Sequence, residues 1–162
     1  MAAVDYFLKI DGIEGESADA KHKGEIDLQS WGFGATQSGT MHSGGGGGGG
    51  KVSVQDLHFV TQISKASPKL FLACCNGEHI KKAVLVARKA GKEQQEYYKV
   101  TMSDLLVSSY QGGGSSNDGI LPVDQVSLNF AKIEIEYKEQ KADGSLGGIV
   151  KTSYDLKQNK AA

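Results

Sequence analysis

The groups in this 162-residue chain that could do chemistry are four histidines, two thiols, scattered carboxylates and a run of seven glycines ending at a lysine. The most pointed arrangement is "TMHSGGGGGGGKVSVQDL", Thr40 to Leu57, in which Gly45, Gly50 and Lys51 fit the G-x-x-x-x-G-K part of a phosphate-binding loop. Val52 stands where that loop needs a hydroxyl for magnesium. "KVSVQDLHF" alternates like a strand where a helix would have to begin and offer its amides to phosphate. Nucleotide binding is therefore not expected. His22, His42, His58 and His79 show no H-x-x-x-H or H-E-x-x-H spacing and there is no C-x-x-C, so no metal site is assigned. "HKGE", His22 to Glu25, sets a base beside a carboxylate, but its polar context reads as solvated surface; His58 reads as a hydrogen-bonded sheet residue. No G-x-S-x-G elbow presents a nucleophile. Cys74 and Cys75 are adjacent, where a disulfide would be strained, and read as small, reduced, buried residues. No catalytic residue and no cofactor is assigned, and the chain is not expected to be an enzyme.

Charge points away from several partners as well. Eighteen Lys and Arg against nineteen Asp and Glu leave a net charge of −1, without the footprint that nucleic acid or an anionic membrane selects. Lys81, Lys82, Arg88, Lys89 and Lys92 form a mild basic patch without interleaved aromatics and read as solvated surface. "MAAVDYFLKIDGIEGE" lacks the basic start and apolar core of a secretory signal, and no segment reads as a membrane span. A cytoplasmic product without membrane insertion is expected.

The elements that must position these groups are mostly strands. Period-two alternation marks Val4 to Ile10, then segments near residues 25–37, 51–63, 83–89, 97–102, 123–137 and 150–156. In "VSLNFAKIEIEY" the apolar phase slips from Val126, Leu128 and Phe130 to Ile133, Ile135 and Tyr137, which predicts a bulge near Ala131 and Lys132. Val150, Thr152, Tyr154 and Leu156 share one face of a last strand. "SPKLFLACCNG" predicts the one clear helix, with Ser67 as cap, Pro68 at the first helical position and Asn76-Gly77 as a left-handed stop. The predicted fold is mainly β: a single domain over residues 1–162, an antiparallel β-barrel of two curved sheets with one short flanking α-helix and a long glycine-rich extended loop. That loop, Gly39 to Lys51, contours about 40 Å when extended, and fixing its seven glycines costs on the order of 7–14 kcal/mol. A contact with a neighbouring molecule would have to offset this.

A β-rich body without convincing chemistry and with one outsized arm reads as an assembly unit. The sequence resembles the haemolysin-coregulated protein (Hcp) family of the bacterial type VI secretion system at "DYFLKIDGIEGES", "EIDLQSW", "QSGTMHSGGGGGGGKVSVQDLHF", "SPKLFLACCNG", "RKAG" and "LNFAKIEIEY" with "QKADG". The resemblance implies a subunit of the inner tube, with six copies in a ring and rings stacked into a hollow tube. It also implies a carrier and chaperone role for small effectors in the lumen. Its implied partners are further copies of itself, a VgrG-type spike protein, contractile sheath and baseplate components, and effector proteins. It further implies assembly in the cytoplasm and export by the machine itself. On that reading the arm contacts a neighbouring subunit or ring through Thr40, Met41, His42, Gly44, Gly47, Gly50 and Lys51, and Ser30 and Gly32 face the lumen or its cargo. Family members often carry W-S-W-G where this chain has Trp31-Gly32-Phe33-Gly34, so cargo preference is expected to differ. The alternative is a secreted β-barrel binding module that acts as an effector chaperone without forming tubes.

Overall fold

A computed structural model describes residues 4–39, 51–89, 94–117 and 119–162. Eleven strands and one helix make up the described chain: β1 (Val4–Ile10), β2 (Ile26–Asp27), β3 (Ser30–Gly32), β4 (Ala35–Thr36), β5 (Ser53–Val54), β6 (Leu57–Gln62), α1 (Ala66–Asn76), β7 (Ile80–Lys89), β8 (Gln95–Gly113), β9 (Val123–Gln140), β10 (Leu146–Asp155) and β11 (Lys160–Ala161). The β8–β9 hairpin is the spine. On its far side β9 first pairs β6, from Val123 to Leu128, and then pairs β10, from Lys132 onward. One antiparallel sheet therefore runs β10-β9-β8-β7-β1, and a second runs β3-β6-β9-β8.

The alternation read from the sequence explains the core. Leu57, Phe59, Val126, Leu128, Leu105 and Val107 of the second sheet face Leu8, Leu85, Val100 and Met102 of the first, all buried. Between the sheets the chain from Ile26 to Gly32 passes from β1 to β6: Leu28 N–H donates to Tyr6 O at 3.0 Å and Gln29 N–H to Val60 O at 2.8 Å. No strand ladder joins β2 to β6. The sheets are curled as expected of a barrel, but the ladder is open at this seam.

The phase slip in β9 is real, and its cause differs from the expected bulge. Registers on both sides of Ala131 and Lys132 stay continuous with β8, so no residue is inserted there. Instead, three neighbouring strands each turn two consecutive residues away from the core at the same level: Lys81 and Lys82, Ser103 and Asp104, Ala131 and Lys132. Ile80, Leu105 and Phe130 pack on one side of this crease and Ala83, Met102 and Ile133 on the other. Asp104 takes φ +52° in the crease. The true irregularities lie elsewhere, at Val107/Ser109, Ala87/Arg88 and Leu146/Ile149. The crease is where β9 exchanges β6 for β10 as its neighbour, with Leu156 N–H donating to Ala131 O at 2.8 Å.

α1 starts two residues earlier than its sequence signals place it. Lys65 is the cap residue, without a side-chain cap, and the Ser67 hydroxyl inside the first turn accepts Ser64 N–H at 3.0 Å. Ser67 in turn donates to the fully buried Asp124 of β9, which also accepts Tyr110 O–H at 2.6 Å. Burial, with Asp124 beside it, pushes the Tyr110 phenol up. Helix and hairpin are thus tied by a satisfied buried carboxylate. Gly77 ends the helix at φ +59°, as expected. Cys74 is half-buried and Cys75 exposed, both as thiols, whereas both were expected inside. Tyr154 of β10 and Leu156 just after it pack on the core, but Val150 is 71% exposed: in its row only Tyr98 packs against the core, and Val150 lies at the far end, beyond Tyr137. β11 then folds back onto Tyr154 and Asp155.

Candidate functional site: a largely uncharged sheet face

The side of the second sheet that points away from the core carries two cross-strand rows. Ser30, Val60, Gln125 and Gln111 are paired in one; Gly32, His58, Ser127 and Ser109 in the other. Hydroxyls, amides, a glycine, a valine and one imidazole make up the two rows; the carboxylate of Asp56 stands one step beyond them on the same side, accepting Asn129 Nδ2–H at 2.8 Å and Ser108 O–H at 2.6 Å. The corresponding side of the first sheet is the opposite in character. Lys99, Glu136 and Lys151 form one row, and Glu134 sits between Thr101 and Ser153 in the next, with Lys151 Nζ 3.2 Å from Glu134 Oε1. Hydroxyls and amides hold water without binding ions strongly, so the two rows themselves exert little pull on a molecule of either sign.

Two sequence-assigned residues lie on this face: Ser30, exposed on β3, and Gly32, half-buried. The His58 ring lies over Gly32, where an added Cβ would come within 2.9 Å of Cε1 and 3.0 Å of Nε2. A side chain at position 32 would displace the imidazole, so the glycine and the histidine form one notch. On the core side Trp31 stacks with Phe33 and Tyr98 and meets Tyr6 edge-on at 5.8 Å, which fixes β3 in place. Lys51 is exposed at the foot of the ribbon formed by β4 and β5, in which Ala35 pairs Val54 and Thr36 pairs Ser53. Thr40, Met41, His42, Gly44, Gly47 and Gly50 lie outside the described residues. Lys51 is followed by strands rather than a helix, so the phosphate-loop reading lacks its helix.

A second cluster escaped the sequence reading. Loop 14–25 covers the outer face of β1 and β7, burying Phe7, His22 and Arg88. Arg88 Nη1 and Nη2 donate to the two oxygens of Asp19 at 2.9 and 2.6 Å, and Nη2 also reaches Asp5 at 3.2 Å. That hydrogen-bonded pair holds the Asp19 carboxyl well below the usual carboxylate range and raises Arg88 further. Burial pushes Asp27 up, with Asp5, Asp19 and Glu25 adding to it. Arg88 therefore does not belong to a solvated basic patch, and His22 of "HKGE" is not solvated surface. The available signals were the carboxylate three residues after His22 and the apolar Phe7 on the polar phase of β1.

Curled antiparallel sheets with one flanking helix define a mainly-β protein whose second sheet turns a largely uncharged face outward. Residues 7–137 match the family described as "Type VI secretion system effector, Hcp". "Protein hcp1" of Pseudomonas aeruginosa is 49% identical over 159 residues, covering 97% of this chain and 98% of that protein. The structure titled "crystal structure of Hcp1 from Salmonella typhimurium" is 44% identical with a TM-score of 0.85, covering 99% of this chain and 100% of that one. One titled "Structure of a type six secretion system protein" is 28% identical with a TM-score of 0.93, again covering 99% and 100%. The chain belongs to the Hcp family of type VI secretion proteins. Among the described residues no helix is long and apolar enough to cross a membrane.

Proposed function

We propose that this chain is a subunit of the type VI inner tube. Six copies close a ring through a heterologous contact, rings stack into a hollow tube, and small effectors travel in the lumen. The observation that carries the reading is the largely uncharged face of β3, β6, β8 and β9, with the Asp56 carboxylate beside the two neutral rows, which suits a wall that cargos of different charge must enter and leave. Ser30, Gly32 and His58 lie on that wall. The glycine arm from Gly39 to Lys51 bridges to an adjacent subunit or ring. Assembly takes place in the cytoplasm against sheath and baseplate components, a VgrG-type spike caps the tube, and the machine exports it. Family membership supports the secretion role, and the solved Hcp structures support the body that would form the ring.

Ser30→Arg and Gln125→Arg test the wall. Co-purified effectors are expected to be lost or exchanged while ring mass stays unchanged; full cargo occupancy in both variants contradicts the assignment of this face to the lumen. Deletion of Gly44 to Gly50 tests the arm: stacking is expected to weaken, and unchanged stacking and secretion would remove the arm from the mechanism.

A further inference from the structure

His22 is 6% exposed, and both of its ring nitrogens meet carboxylates. Nδ1 lies 2.9 Å from Glu25 Oε2 and Nε2 lies 2.6 Å from Glu96 Oε1. The ring stacks on Phe7 at 4.3 Å with planes 9° apart, so it cannot turn away without leaving that face. A neutral imidazole has one N–H and one bare lone pair. Against two ionised carboxylates it could satisfy only one, leaving a lone pair aimed at a carboxylate oxygen. Two contacts this short therefore require one more proton than a neutral ring and two ionised carboxylates hold.

The surroundings say where that proton goes. Around the imidazole stand Asp19 and Glu25 from its own loop, Asp27 from β2 and Glu96 from β8, with Asp5 of β1 close to Asp27. Arg88 of β7 lies over the same Phe7 ring at 4.8 Å and is already engaged by Asp19 and Asp5. Arg88 pairs with Asp19 and Asp5, whereas among the described residues the ion pairs of Glu25 and Glu96 are those to His22, which favours a second cation at the ring. We propose that His22 is a proton-operated latch: as an imidazolium it donates to Glu25 and Glu96 together and clamps loop 14–25 onto β1 and the start of β8. When the proton leaves, one carboxylate is repelled, Glu96 is the less buried of the two and swings out, and the loop loosens over Phe7. The cation belongs to the closed form, so with Glu25 and Glu96 ionised the latch is complete below the pKa of a free imidazole and is lost as pH rises.

The test uses the full chain. Nitrogen NMR of His22 at neutral pH is expected to show both ring nitrogens protonated. The urea midpoint should fall as pH rises from about 6 to about 9, a range that brackets free imidazole, with the folded-to-unfolded ratio dropping by up to about tenfold per pH unit. Glu96→Gln supplies an amide N–H to the bare nitrogen of a neutral ring, so this variant should show one ring proton and a flat midpoint over the same range. A single ring proton in the native chain overturns the latch, because the extra proton then sits on a carboxyl. A pH slope in Glu96→Gln equal to the native one also overturns it. If Glu96→Gln does not fold, the native nitrogen signals decide.

Discussion

Arg88 is the side chain whose loss should be felt most. It is 2% exposed and neutralises Asp19 and Asp5, so Arg88→Met leaves two carboxylates facing a buried apolar stem. A loss of about 3 kcal/mol is expected in urea unfolding. A loss below about 1 kcal/mol, the size of an exposed pair, would contradict the burial argument. The acid limb supplies an independent check. The Arg88 hydrogen bonds, followed by the Lys21 N–H, hold Asp19 ionised below the usual carboxylate range. Its contribution is therefore complete above about pH 4, the ordinary Asp value, and disappears as pH falls through the lowered one. Asp19→Asn should be less stable at neutral pH and show a flatter decline in acid, measured by urea midpoints. None of these partnerships was legible in the sequence. Arg88 and Asp19 are 69 residues apart and His22 and Glu96 are 74 apart, and a loop closing over a sheet leaves no periodic trace.

Strands and helix were far more legible, because one-sided burial writes itself as alternation and capping residues mark ends. What alternation could not separate was a bulge in one strand from a crease across three. Both move β9 from even to odd apolar positions, and only the registers of β7 and β8 tell them apart. The crease makes its own prediction at Asp104, the non-glycine at φ +52° within it. Asp104→Gly should be tolerated, whereas Asp104→Val should unfold more easily by about 1–2 kcal/mol than the glycine variant, the cost of a Cβ in the left-handed region. Equal midpoints in urea would mean that the crease can be re-formed without that conformation. The link from α1 to the hairpin is tested at Ser67. Ser67→Ala leaves Asp124, fully buried, with Tyr110 alone, and thermal unfolding should report a loss of about 1–3 kcal/mol.

At the level of the assembled protein, the contrast between the two outward sheet faces carries the functional reading. A charged exterior on the first sheet and a largely uncharged one on the second give the chain two unlike surfaces, as a ring with an outside and a lumen requires. That contrast was only partly visible in the sequence. Glu134 and Glu136 were assignable to a solvated face from their own strand, but the uncharged rows draw single residues from four strands and emerge only once registers are known. The direct measurement is the mass of the purified chain by light scattering, with negative-stain imaging of the same peak. The account predicts annular particles about six times the mass of one chain. A monodisperse single-chain mass at millimolar concentration, with no annuli in the images, would contradict it.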